Sequence, residues 1–203
     1  MRHTVSELAQ RLNRLHAPSE KFPSLLLMTD AKRLPDPRAL IPLLPSGSAV
    51  IIRHFNDPQK EQIIRKIILL CRKHHVKIFV SDSLSLALKY KLDGIHYSEK
   101  KVRLMASCGR AKRPYKKMIF TCACHSESAR IAASKAKMDA ILLSPAFPTQ
   151  SHPGAKSLGI WQIASLSRHS SLQTYGLGGI NQKTAHRLSS TQLCGFAGIS
   201  GLI

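Results

Sequence analysis

Along the chain, short apolar runs alternate with segments in which apolar residues return every three or four positions. The runs LLLMT (25–29), AVIIRHF (49–55), KIFVS (77–81), GIHY (94–97), MIFTCAC (118–124), AILLSPAF (140–147), TYGLGG (174–179) and GFAGI (195–199) are bounded by turn formers or charge. Being short and rich in β-branched or aromatic residues, they predict eight strands. Several are apolar at successive positions, the mark of strands buried on both faces of a parallel sheet. Between them, residues 58–75 gather Ile63, Ile64, Ile67, Leu70 and Cys71 on one helical face. Asp57 is the expected N-cap there, with Pro58 at the first helical position. Ser126 is expected to cap a helix carrying Ala129, Ala132, Ala133 and Ala136, and Asn181 another that runs through Leu188. Residues 35–45, punctuated by proline, predict a shorter element.

Eight strands with helices between them, in about 175 residues, predict an α/β chain forming a single (β/α)8 barrel over 1–203. An open doubly wound sheet is the alternative that periodicity alone does not separate. The chain stops at Ile203, almost directly after the last strand run, so the eighth helix is expected to be missing or reduced. Residues 1–20, with Val5, Leu8, Leu12 and Leu15 at helical spacing, are expected to form a helical extension that covers exposed barrel surface.

Composition narrows the class. Hydrophobic residues make up 43% of the 203, enough for a sizeable core. No stretch approaches the ~20 apolar residues of a membrane span, and MRHTVSELAQRLNRLH lacks the apolar block of a secretory leader. A cytoplasmic protein without a membrane partner is expected. Cys71, Cys108, Cys122, Cys124 and Cys194 are odd in number and unpaired in spacing, and read as reduced thiols. Thirty-one Lys and Arg oppose 11 Asp and Glu, a formal charge of +20. Such a field attracts phosphorylated metabolites, acidic membrane surface or nucleic acid alike. Residues 100–117 hold eight basic side chains and no acid. Aromatics are only 5% and scattered, so the stacking platform of a single-strand binder is not visible. A solvated basic surface is therefore preferred to a nucleic-acid interface. Oligomeric state is left open, a homo-oligomer included.

In a barrel of this kind, chemistry sits where strands end and the following loops begin. After the seventh run stands Gly176-Leu177-Gly178-Gly179-Ile180-Asn181, and after the eighth Gly198-Ile199-Ser200-Gly201. Closely spaced glycines let backbone amides approach an anion, and loops seven and eight of this fold recurrently take phosphate. The sixth junction, Ser144 to Lys156, gathers hydroxyls, an imidazole and an ammonium at one strand end.

That sixth segment, SPAFPTQSHPGAKSLG, resembles the G-P-x-F-P-T-x-T-K…LG segment of the thiamine phosphate synthase family, which includes the thiazole tautomerases. LLLMTD at 25–30 resembles the opening LYLITD, and Arg53 stands where the family has the Arg of V-Q-L-R-x-K. Ser81-Asp82 with Leu86-Ala87 resembles N-D-x-x-x-x-A, and Asp93-Gly94-Ile95-His96 resembles D-G-V-H. Cys122 to Ser126 resembles S-x-H-S/T, and Gly176 to Ile180 resembles I-G-G-I. The order is co-linear from residue 25 onward, and the resemblance implies a TIM barrel.

The family joins two phosphorylated halves of thiamine: magnesium holds the pyrophosphate of hydroxymethylpyrimidine pyrophosphate, and the thiazole phosphate nitrogen traps the cation left behind. By resemblance, Gly178, Gly179, Ile199 and Ser200 bind thiazole phosphate, with Ser144, Thr149, Ser151, His152 and His96 as further substrate contacts. Arg53 faces the pyrimidine pyrophosphate, His125 matches the general acid/base of the tautomerases, and Asp82 is a weak Mg2+ ligand. The family's pattern is broken elsewhere. Its pyrimidine-reading Gln is Ile51, its pyrophosphate Lys is Phe55, and the Asn and Arg flanking the metal Asp are Ser81 and Ser83. The second carboxylate position falls on Lys101, and the lysine of T-x-T-K is His152. Glu99 enters as a substitute ligand only if the register slips by two. Three readings stand: a divergent synthase, a thiazole tautomerase-like isomerase, and a non-catalytic barrel binding a phosphorylated ligand or nucleic acid.

Overall fold

The computed structural model describes residues 3–53, 56–108, 114–149, 154 and 156–202. Eight parallel strands, β1 (Leu25–Met28), β2 (Ala49–Ile52), β3 (Lys77–Ser81), β4 (Gly94–Tyr97), β5 (Ile119–Cys124), β6 (Ala140–Leu143), β7 (Gln173–Leu177) and β8 (Gly195–Gly198), follow one another around a closed barrel. β8 pairs with β1 in the register Leu26 to Ala197, which closes the ring and decides against an open doubly wound sheet. The continuous apolar runs have the expected cause. Leu26, Met28, Ile51, Phe79, Leu142 and Tyr175 fill the interior, while Leu25, Leu27, Val50, Val80, Phe120 and Ile141 pack outward under the helices.

Among the described residues, six α-helices surround the strands: α1 (Val5–His16), α2 (Asp57–Lys73), α3 (Leu84–Lys89), α4 (Glu99–Cys108), α5 (Glu127–Lys135) and α6 (Gly159–Arg168). Several helix N-termini follow from their caps. Ser126 accepts from the Ala129 amide and starts α5, as expected. In α2 the cap is Asn56, whose side chain accepts from the Gln59 amide, and not Asp57. Asp57 lies inside the first turn, where its carboxylate meets Lys60 Nζ at 3.2 Å and accepts from Ser83 Oγ at 3.0 Å. The helix expected from Asn181 is replaced by a single 3-10 turn, Ala185–Leu188. Asn181 Oδ1 turns back onto the Lys183 amide at 2.8 Å, and Thr184 Oγ1 donates to the Gly179 carbonyl at 2.8 Å. Those side-chain bonds compete with the helical ladder.

Among the described residues, no helix follows β8. α1 packs instead on β8, β1 and the 185–188 turn. Its Leu8, Ala9 and Leu12 are buried, and Asn13 Nδ2 donates to the Cys194 carbonyl at 2.8 Å and the Phe22 carbonyl at 3.2 Å. A capping box between Thr4 and Glu7 fixes where α1 begins. No helix among the described residues is long and apolar enough to cross a membrane.

Candidate active site

The C-terminal ends of the strands surround a cavity of about 380 Å³. Arg53, His96, His125, Ser144, Thr149, Gly178, Gly179, Ile199 and Ser200, dispersed over 148 positions of sequence, all line it. Ser151 and His152 lie outside the described residues, as does Phe55. Asp82 does not line the cavity. It sits on a separate open groove with Ser98, Lys100, Lys101 and Arg103.

The glycine loops serve two purposes. Gly178 and Gly179 have φ of 94° and 68°, a region that L side chains rarely adopt. A Cβ on Gly179 would stand 2.6 Å from the Pro148 carbonyl oxygen, against the chain itself. The loop after β6 is docked there: the Ala146 amide donates to the Leu177 carbonyl at 2.7 Å and the Phe147 amide to the Gly178 carbonyl at 3.1 Å. The glycines are thus required for loop packing before any ligand arrives, beyond the anion access expected of them. Among the described residues, the amides of Gly179, Ser200 and Gly201 donate to no protein acceptor. All three residues line the cavity, and amides left without a protein acceptor there suit an oxyanion.

His96 is a buried residue of β4. Its Nδ1 lies 3.0 Å from Thr121 Oγ1. Burial first, and then the nearby Arg53 charge, push its pKa down to about 4, partly opposed by Asp82. The ring is neutral near pH 7. His125 follows β5 at the turn into α5. Its Nδ1 is 2.7 Å from the Ser144 carbonyl oxygen and 3.1 Å from Ser144 Oγ. A carbonyl only accepts, so Nδ1 carries the proton and Nε2 keeps the lone pair of the neutral ring. The His125 amide donates to Glu99 Oε2 at 3.2 Å, while Glu99 Oε1 takes Arg103 Nε at 2.9 Å.

The backbone at Arg53 is fixed by its amide, which donates to Thr29 Oγ1 at 2.9 Å. Burial lowers its pKa, yet a guanidinium remains charged. Arg33, to which sequence reasoning assigned no role, lines the same cavity. Both guanidinium groups stand 3.7 Å from Asp30 Oδ2. A second unanticipated feature is Lys60. It is buried, donating to the Ser81 carbonyl at 2.8 Å beside its Asp57 partner.

Magnesium requires several hard oxygen ligands in near-octahedral array, and the surroundings of Asp82 do not fit it. Asp82 Oδ1 accepts from the Ser98 amide at 3.0 Å, and Lys101 Nζ donates to the Asp82 carbonyl at 2.6 Å. The remaining charged neighbours in the groove are the cations Lys100 and Arg103. Glu99, the substitute ligand by register slip, is turned to Arg103 and His125 instead. Among the described residues, no group of three or more His, Cys, Asp or Glu is placed to hold a metal ion.

Fold and cavity together define a (β/α)8 barrel with a glycine-lined, cationic chamber at the C-terminal mouth of its strands. Residues 29–202 match the model of the family described as thiamine monophosphate synthase, and the chain belongs to that family. It is 28% identical over 156 residues to the thiamine-phosphate synthase of Latilactobacillus sakei, covering 72% of this chain and 65% of that protein. It is 28% identical over 163 residues to that of Methanospirillum hungatei, with 78% of each covered. A thiamine phosphate pyrophosphorylase from Pyrococcus furiosus shares the fold, with a TM-score of 0.70 and 21% identity over 88% of this chain and 85% of that one.

Proposed function

We propose that this chain is a cytoplasmic thiamine-phosphate synthase, which couples hydroxymethylpyrimidine pyrophosphate to thiazole phosphate. The observation that carries this is that residues with unengaged amides and the half-buried Arg53 guanidinium line one chamber. In this reading the Gly179, Ser200 and Gly201 amides take the thiazole phosphate, with the Ser144 and Thr149 hydroxyls beside them. Arg53 faces the departing pyrophosphate and stabilises the charge that develops on it. Neutral His96 presents a polar wall without adding a cation near the pyrimidine. Bond breaking and bond making then need no strong base: the protein aligns the thiazole nitrogen with the carbon that the pyrophosphate leaves.

The tautomerase-like reading rests on one observation, the fixed tautomer of His125. With Nδ1 held by Ser144, Nε2 is the atom that would accept and return a proton. One experiment tests both readings. Purified protein is mixed with the pyrimidine pyrophosphate and thiazole phosphate, with and without Mg2+, and thiamine phosphate is measured. Isomerisation of a thiazole phosphate carboxylate is followed in parallel. Formation of thiamine phosphate supports the synthase; isomerisation alone supports the second reading. Neither activity, with thiazole phosphate still bound, would reduce the protein to a binding barrel.

A further inference from the structure

Two guanidinium groups share one carboxylate oxygen at the rim of the chamber. Asp30 Oδ1 is already occupied by the Lys32 and Arg33 amides at 3.1 and 3.0 Å. Oδ2 therefore faces Arg33 and Arg53, each 3.7 Å away. A single carboxylate cannot neutralise both cations, and at that separation it forms a tight pair with neither. The local charge is +1, inside a partly enclosed cavity where it acts more strongly than in bulk water. The backbone that carries both arms is held before any ligand arrives. The Arg33 turn is closed at its ends by Asp30 and Leu34, whose amides and carbonyls exchange bonds at 3.1 and 3.0 Å. Arg53 is anchored through Thr29.

We propose that Arg33 and Arg53 form a two-guanidinium clamp that holds the pyrophosphate of the pyrimidine substrate without a divalent cation. The inference rests on the synthase reading, because that reading supplies the pyrophosphate. It also accounts for the groove around Asp82, which carries lysines where a metal would need carboxylates. Planar guanidinium forks match phosphate oxygens in pairs, so two of them supply donors and charge to an anion with many oxygens. Arg53 alone is the position matched by family resemblance; Arg33 reaches the chamber through its turn.

The test is calorimetric titration of the full chain with inorganic pyrophosphate in the presence of EDTA. The wild type binds under those conditions, and Arg33→Gln weakens binding by roughly tenfold or more, the scale of one charge-assisted contact. Lys32→Gln, an equal loss of charge on the same turn but outside the chamber lining, leaves the affinity unchanged. Thermal melts of the three proteins coincide. A wild type that binds pyrophosphate only after Mg2+ is added would overturn the clamp, and so would equal losses in Arg33→Gln and Lys32→Gln. Failure of the synthase reading is separable: metal-free, Arg33-dependent pyrophosphate binding without thiamine phosphate formation upholds the clamp and removes the reaction.

Discussion

The His125 Nδ1 lies 2.7 Å from the carbonyl oxygen of Ser144, the residue that follows β6. This bond between neighbouring strand ends selects one tautomer, so a proton transfer proposed for His125 would have to run through Nε2. In a tautomerase, His125→Ala slows isomerisation by ~10²-fold or more, the usual loss of general acid/base catalysis, while thiazole phosphate still binds. In a synthase the same change alters coupling only severalfold. Steady-state kinetics of the variant on both reactions distinguish the two.

His96 makes stability depend on pH. Its folded pKa is about 4 against an ordinary 6.5, so the unfolded chain binds the proton first as pH falls. Stability from this group is undiminished above about 6.5 and is lost progressively down to about 4. The loss approaches ~3 kcal/mol, from ~1.4 kcal/mol per unit. Urea melts between pH 7 and 4 show that slope in the wild type, and a shallower one in His96→Gln.

Gly179 and Ser200 separate loop architecture from ligand contact. Gly179→Ala places a Cβ against the Pro148 carbonyl with φ at 68°, so it lowers the melting temperature and weakens thiazole phosphate together. Ser200→Ala keeps the amide donor and the fold, and costs at most one hydrogen bond to a charged group, ~1.5–3 kcal/mol of affinity. Differential scanning calorimetry paired with phosphate-ligand titration reads both.

Asn13 ties α1 to the barrel through two carbonyls, those of Phe22 and Cys194. Asn13→Ala is expected to cost ~1–2 kcal/mol and to lower the melting temperature by about 2–8 °C for a chain of this size. Chamber affinities should be unaffected, since neither Phe22 nor Cys194, whose carbonyls Asn13 holds, lines the cavity.

The barrel was legible because burial on both faces leaves a distinct trace: GIHY and KIFVS coincide with β4 and β3 residue for residue. Other apolar runs overshoot their strands. AILLSPAF continues past Leu143 into a loop whose Ala146 and Phe147 are buried against β7, so hydrophobicity there reports packing and not strand. The residues singled out by positional resemblance, the glycines, Arg53 and both histidines, line one cavity because they sit at strand ends whose order the chain preserves. Asp82 lies apart from them on its own groove, and a motif does not reveal that its carboxylate already receives the Ser98 amide. Arg33 was invisible among 31 basic residues. Only the closure of Asp30 onto Leu34 and the shared carboxylate distinguish it from ordinary surface charge.

Pairing of β8 with β1 also imposes an order on when the chamber can exist. Its guanidinium pole follows β1 and β2, early in synthesis, while its amide pole follows β7 and β8, at the end. Until β8 docks between its two neighbours, β1 and β7 are open edges that other chains can pair with. A nascent or clipped chain lacking β8 is therefore both siteless and adhesive. A phosphorylated ligand that touches loops from both ends acts as a latch across the seam, binding the closed ring in preference to the opened one. Resistance to proteolysis at this seam should accordingly rise with ligand concentration more steeply than anywhere on the far side of the barrel.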